Sequence, residues 1–312
     1  MSVKLGVALA IGSATAEQFW QWVDCCEREG IDSVWIADRL VGSAPSLEPI
    51  ATCAALAGRT RRLKFGPSVL VLPLRSPVIL AKEVATIDFL SAGRMLLAVG
   101  VGGDDPREWV ASGVPVSERG ARMDEAIALL RHLWTEERVN FRGRFFQCAD
   151  VTLTPRPVQQ PVPLWVGGHS EAALQRTALL GDGWLPSFLT PEQFAAGRRQ
   201  IVRLAAEAGR AIEEDHYGAF LLFHLAPTRE QARAVASHHL QLPARIRHPS
   251  LDQPYILVGT VEDVCAGIAR YLEAGARKFV LRPVGPPEAI EEQLLALARE
   301  VIPQVAARGV AD

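Results

Sequence analysis

Gly167-Gly168-His169-Ser170 sets two glycines and a hydroxyl where an apolar run gives way to a helix. Such a turn offers unpaired backbone N–H groups and the positive end of a helix dipole, which suits an anion such as a phosphate. The same residues also make an ordinary strand-to-helix turn with Ser170 as N-cap, and spacing alone supports both readings. Asp38-Arg39 joins a carboxylate to a guanidinium. The pair reads equally as an internally bridged loop and as part of a site in which Arg39 orients an anionic group. Arg39 cannot act as a general base, because its guanidinium stays protonated. His224 lies in an apolar run, where it can move protons near neutral pH or simply be a satisfied buried residue. Gly100, Gly102 and Gly103 lead into Asp104 and Asp105, carboxylates that read as solvated loop groups or as neighbours of a substrate. Ser68-Val69, Trp184 and Arg282 join the set by position, each at or near the end of an apolar stretch.

A common scaffold must bring these residues together. Short apolar runs recur along the chain at Val3 to Ala8, Ser33 to Ala37, Lys64 to Leu72, Met95 to Gly100, Val162 to Val166, Gly183 to Leu185, Gly218 to Leu225 and Lys278 to Arg282. They are continuously apolar rather than alternating, the pattern of parallel strands buried on both faces. A helix signal follows each. Thr15 with Gln18 and Thr190 with Gln193 read as capping boxes, Pro49 and Pro77 suit first helical turns, and Gly30 closes the first helix. Met123, Ile127, Leu130 and Trp134 mark one face of a helix from Ser117 to about Thr135, and the last helix runs from about Glu288 to Val305. Val139 to Leu153 reads as a small hairpin excursion with Arg142-Gly143 at its tip. Eight strand–helix units without a composition break predict one α/β domain over 1–312, a TIM (β/α)8 barrel with insertions. In such barrels the site forms at the C-terminal ends of the strands, where every residue named above falls. The loops after Gly102 and from Leu242 to Leu257 are placed to shape its pocket.

Composition narrows the function classes. The net charge is −2 and the basic residues are dispersed, so the footprint of a nucleic-acid binder is missing. No apolar run nears the ~20 residues that cross a bilayer. Leu5 to Ile11 followed by Ala14-Thr15-Ala16 imitates a short secretory leader, but the run contains Gly6 and a helix start follows at Thr15; we read it as a buried strand and expect a cytoplasmic protein. The five cysteines form no CxxC pair, which fits a reduced compartment. His238-His239 is an adjacent surface pair without ligand spacing, and no metal site is expected.

Several stretches carry a family resemblance: Ile31-Asp32-Ser33-Val34-Trp35-Ile36-Ala37-Asp38, Val69-Leu70-Val71-Leu72-Pro73-Leu74-Arg75-Ser76-Pro77, Leu90-Ser91-Ala92-Gly93-Arg94 and Val99-Gly100-Val101-Gly102, followed by Pro163-Leu164-Trp165-Val166-Gly167-Gly168, Gly181-Asp182-Gly183-Trp184 and Val258-Gly259-Thr260. In this order, over nearly the whole chain, the sequence resembles the luciferase-like monooxygenase superfamily, which includes deazaflavin-dependent oxidoreductases. The resemblance implies a flavin-type ring across the barrel mouth, resting on a bulge of strand three that often contains a non-proline cis peptide; Ser68-Val69 holds that position. It places the cofactor phosphate by the strand-five turn, at Val166, Gly167, Gly168, His169 and Ser170, with Asp38, Gly100, Gly102 and Trp184 also counted as cofactor contacts. His224, Asp38 and Arg39 are the candidates for catalysis.

The compact form and Ser68-Val69 resemble the branch that uses coenzyme F420, which implies hydride transfer to or from a small organic substrate. FMN is the alternative, implying a two-component monooxygenase with a separate flavin reductase. Many members carry histidine where this chain has Arg39, so a proton-transfer role there does not carry over. The resemblance also implies a homodimer. Two other classes remain: a non-catalytic flavin-binding relative, and an aldolase or isomerase of phosphorylated sugars. The last would want a Schiff-base lysine at a strand end, whereas Lys4, Lys64, Lys82 and Lys278 lie at strand starts or on a helix.

Overall fold

The computed structural model describes residues 3–309 except 43, 104, 241, 243–245 and 247–249. Asp104 and most of the first half of the 242–257 loop therefore lie outside the described residues. The strands in chain order are β1 (Lys4–Ala8), β2 (Ser33–Ile36), β3 (Lys64–Pro67), β4 (Leu70–Val71), β5 (Leu97–Gly100), β6 (Val139–Arg142), β7 (Gln147–Val151), β8 (Leu164–Gly167), β9 (Gly183–Leu185), β10 (Gly218–Leu225), β11 (Ile256–Gly259) and β12 (Lys278–Pro283). The helices are α1 (Ala16–Arg28), α2 (Pro49–Arg59), α3 (Pro77–Leu90), α4 (Pro106–Ser112), α5 (Arg119–Thr135), α6 (Glu171–Leu180), α7 (Pro191–Glu207), α8 (Arg229–His239), α9 (Val261–Glu273), α10 (Pro287–Ala296) and α11 (Ile302–Gly309).

Parallel pairing runs β11–β10–β12–β1–β2–β3 in one sheet and β4–β5–β8–β9 in the other. Isolated bridges join the sheets at both seams: Phe65 to Met95 on one side, Trp184 to Tyr217 and Ser187 to Phe220 on the other. With β3 and β4 as two pieces of one strand, eight strands make the ring β1, β2, β3/β4, β5, β8, β9, β10, β12. This is the α/β barrel expected from the sequence.

Strand geometry explains why the strands looked uniformly apolar. Successive side chains point to opposite faces, and both faces here are dry. Val7, Val34, Leu97, Leu164 and Leu281 pack outward into the helix layer. Ala8, Trp35, Ala98, Trp165, Leu185 and Val280 pack against one another inside the barrel. Lys278, two residues before Val280, closes the interior at the N-terminal end: its ammonium contacts Asp32, donates to Ser33 Oγ at 2.8 Å and lies 5.7 Å from the Trp35 ring centre.

The helix signals hold. Thr15 with Gln18 and Thr190 with Gln193 form reciprocal capping boxes, and the apolar face of α5 is buried through Met123, Ile127, Leu130 and Trp134. The hairpin β6–β7 is antiparallel, as expected. Four details differ from the sequence reading. The third strand is interrupted between Pro67 and Leu70 rather than running through to Leu72. Helix α4 occupies the loop after β5; its Asp105 N-cap and Pro106 at the first turn were a legible start signal. The end of the 242–257 loop is strand β11, paired with the C-terminal half of β10. A π turn over Leu297–Val301 divides the final helix.

Candidate active site

The C-terminal ends of the ring strands form the mouth, and its centre is the break in the third strand. The Ser68-Val69 peptide is cis. Ser68 N–H donates to the Ile36 carbonyl at 2.8 Å, which ties the break to β2. On its far side, Val71 N–H donates to Asp38 Oδ2 at 2.8 Å, and Arg75 Nη2 donates to the same oxygen at 2.9 Å. Arg75 also donates to Glu48 at 2.7 Å. Asp38, only 5% exposed, is therefore a clamp on the break. It does not pair with its neighbour Arg39, so the internally bridged loop is not what forms.

Val69 lies over the ends of β5 and β8. A Cβ on Gly100 would stand 2.6 Å from a Val69 methyl, and one on Gly167 would stand 2.8 Å away. Both glycines are thus explained by the close approach of Val69, whatever else they do. Ser68 Oγ is buried and has no hydrogen-bond partner among the described residues. The result is an apolar shelf with one unused hydroxyl beside it.

Beyond Gly100 the loop is latched. Gly102 adopts φ +82°, with Val71 and Trp109 closing the space a side chain would need. Trp109 Nε1 and Arg119 Nη1 both donate to the Gly103 carbonyl, at 3.1 and 3.0 Å. Glu108 is 1% exposed, accepts from Leu40 N–H at 3.0 Å and lies 3.6 Å from Arg39 Nη1. Sequence reading missed this carboxylate, because the short helix that carries it was not recognised. Asp105 caps α4 and bonds Arg107, which holds its carboxyl at about 2.

At the β8 turn, Gly168 has φ +89° and is exposed, as are His169 and Ser170. Ser170 Oγ accepts from Ala173 N–H at 3.3 Å and starts α6 as its N-cap. Trp184 is fully buried, stacks on Phe194 and donates from Nε1 to the Gly168 carbonyl at 2.8 Å. It fixes the turn from behind rather than facing the mouth. Val166 is likewise packed on the helix side, which leaves only its backbone for a ligand.

His224 is 4% exposed. Its Nδ1 lies 2.6 Å from the Val284 carbonyl, an acceptor, so Nδ1 carries the proton and Nε2 is the basic nitrogen. Burial holds its pKa below the usual histidine value. Across the ring from β5 and β8, a cavity of about 190 Å³ opens at the ends of β12 and β1, with Arg282 in its wall. His239 is exposed and lines the rim of that cavity.

Away from the mouth, the one three-residue group with metal-ligand spacing among the described residues is Glu213, Asp215 and His216, before β10. None of the five cysteines is in a disulfide among the described residues. Among the described residues no helix is long and apolar enough to cross a membrane.

A parallel eight-stranded barrel whose interrupted third strand forms a shelf at the C-terminal mouth defines the class. The family model for luciferase-like monooxygenases matches residues 3–302, and the chain belongs to that family. It is 30% identical over 333 residues to an F420-dependent glucose-6-phosphate dehydrogenase of Amycolatopsis mediterranei (strain U-32), covering 95% of this chain and 98% of that protein. Among solved structures it is similar to a monooxygenase from Streptomyces bottropensis, with TM-score 0.84 and 23% identity over 97% of this chain and 100% of the other. An F420-dependent secondary alcohol dehydrogenase in complex with an F420–acetone adduct gives TM-score 0.79 and 22% identity over 98% and 99%. At these identities the structural likenesses speak for the fold.

Proposed function

We propose that this protein is an F420-dependent oxidoreductase that moves a hydride between the deazaflavin and a small organic substrate. The observation that carries the reading is end-to-end similarity to an F420-dependent dehydrogenase, in a chain whose Ser68–Val69 segment builds the shelf described above. The residues fit such a group: an apolar shelf for a ring, a Ser68 hydroxyl beside it without a partner among the described residues, and an exposed glycine turn at the N-terminus of α6 for a phosphate. When bound, the deazaflavin supplies a two-electron hydride donor or acceptor.

The chain's own residues supply positioning and proton management. Val69 supports the ring face, and Asp38 keeps Val69 in place through Val71. Trp184 holds the Gly168 carbonyl so that the turn keeps its N–H groups toward a phosphate. His224 is the mouth's candidate base, with its tautomer set by Val284 and its pKa lowered by burial. Arg39 stays charged and is held by Glu108, so it orients and does not exchange protons. We read the protein as a homodimer; Ile79 near one end of α3 and Phe89 and Leu90 at the other are 61%, 58% and 63% exposed, apolar side chains available to a second copy.

Titration of cofactor-free protein with F420 and with FMN, followed by absorbance and tryptophan fluorescence, tests the reading. Micromolar or tighter F420 binding with weak FMN binding supports it. The reverse preference makes the protein a monooxygenase with a separate reductase, and binding without turnover by any reductant or substrate makes it a flavin-binding relative. Failure of both cofactors to bind removes the proposal.

A further inference from the structure

Two cations face the interior of β12. Val280 points into the barrel, so strand alternation sends Lys278 and Arg282 the same way, one at each end. Lys278 meets Asp32 and Ser33. Arg282 makes no hydrogen bond and no ion pair among the described residues, although it is partly buried and burial lowers its pKa. A desolvated charge without a partner is unfavourable, and a guanidinium cannot escape by losing its proton. Native structures retain such a group where something else answers it.

The cavity around Arg282 shows what could do so. Leu9, Ile11, Trp22 and Ile290 contribute apolar side chains to a lining that is otherwise largely polar, and its polar side chains are Ser13, His239 and Arg282 itself. No carboxylate lines it among the described residues. At about 190 Å³ it is smaller than the ~300–1,000 Å³ typical of sites for larger ligands, so it admits one compact group. It lies across the ring from the Gly167–Ser170 turn. A phosphate held at that turn and an anion held at Arg282 would be separate ligand groups.

We infer that Arg282 is the anchor of a substrate pocket and that the substrate is a small organic molecule bearing an oxyanion, carboxylate or phosphate. The guanidinium fork matches either group with two parallel N–H···O bonds. The apolar side chains take the carbon skeleton, and the anion fixes which carbon is turned toward the shelf. Calling this ligand the substrate rests on the oxidoreductase reading; the anion site itself does not.

The test uses protein saturated with F420, so that the strand-five turn is filled, and inorganic phosphate as the probe. Line broadening of the phosphate 31P resonance and the phosphate-induced rise in melting temperature are measured for wild type, R282M and R282K. Phosphate affinity is expected to fall about ten- to a hundredfold in R282M, as for loss of a charge-assisted pair, and to recover partly in R282K. Without phosphate, R282M melts no lower than wild type, because an unpaired buried charge has been removed; this separates lost binding from misfolding. Equal phosphate binding by wild type and R282M, or no binding by wild type, overturns the inference. F420 affinity is measured in the same proteins. A matching tenfold loss of F420 affinity in R282M assigns the anion to the cofactor's tail and overturns the substrate assignment. If wild type binds no F420, the oxidoreductase reading fails, and the phosphate comparison on cofactor-free protein still decides the anion site.

Discussion

Replacing Gly167 with alanine isolates one steric relation. The added Cβ would stand 2.8 and 3.2 Å from the two Val69 methyls. Carbon pairs prefer ~3.5–4.0 Å, so Val69 must withdraw by about 0.7 Å. It cannot do so freely, because the next turn of chain is fixed by Val71 N–H on Asp38 and Ser68 N–H on Ile36. Overpacking of this kind costs about 1–3 kcal/mol. Gly167 does not lie in the left-handed region, so alanine brings no backbone penalty. V69A alone removes two partly buried methyl groups, a loss of about 1 kcal/mol. In the double variant the clash has no partner, and we expect it to cost about as much as V69A alone, a coupling of about 1–3 kcal/mol. Urea unfolding of the four proteins measures this, and F420 titration reports the shelf. G167A should bind F420 about tenfold more weakly, equivalent to ~1.4 kcal/mol. Additive destabilisation in the cycle, or wild-type stability and F420 affinity in G167A, would refute the account of the shelf.

Other expectations follow from the same contacts. D38A leaves the Val71 N–H and part of Arg75 unanswered; it should destabilise by about 2–4 kcal/mol and weaken F420 binding, with D38N intermediate, as read by denaturation and cofactor titration. His224 has a lowered folded pKa, so below about 6.5 the unfolded chain binds its proton first. Its contribution to stability is present above that pH and is lost as pH falls through the folded value, so melting temperatures of wild type and H224Q should converge on acidification; parallel curves would show that His224 is not buried neutral. K278M strands the Asp32 carboxylate at the barrel floor and should cost about 3–5 kcal/mol, while K278M/D32N should recover most of it, measured by urea midpoint.

The fold was legible because its signals are local. Each strand is a short apolar run between a capping signal and a glycine or proline, and both faces of the barrel wall are dry. The break at Ser68–Val69 was legible through family resemblance; residue pattern alone read a continuous strand to Leu72. What escaped depends on residues distant in sequence. Glu108 became a buried carboxylate only because α4 folds onto the loop after β2, 68 residues away. Gly167 read as a phosphate-turn glycine and Gly100 as a cofactor contact, and their shared contact with Val69 links three strands. Trp184 looked like a mouth residue, but alternation turns it outward, where its indole reaches the Gly168 carbonyl. Arg282 was visible as a strand-end arginine, but its lack of a partner is a property of the assembled barrel.

That lack of a partner among the described residues matters because the charged groups described around the shelf are paired. Around the shelf, Asp38 meets Arg75, Arg39 meets Glu108, and Asp105 meets Arg107. These pairs stand before any ligand arrives, so a ring settling there need not reorganise them. Across the ring, burial lowers the pKa of His224, and Arg282 has no hydrogen-bond or ion-pair partner among the described residues. Discrimination then follows from what a wrong substrate leaves undone. If Arg282 anchors the substrate, a neutral molecule of the same size meets the same Leu9, Ile11, Trp22 and Ile290 side chains but leaves the guanidinium without an anion, a penalty those contacts do not offset. Sites that bury a polar group for one partner reject analogues lacking its complement far more strongly than they resolve differences of a methylene. On the reading that Arg282 anchors the substrate, the mouth selects by charge first and by shape second.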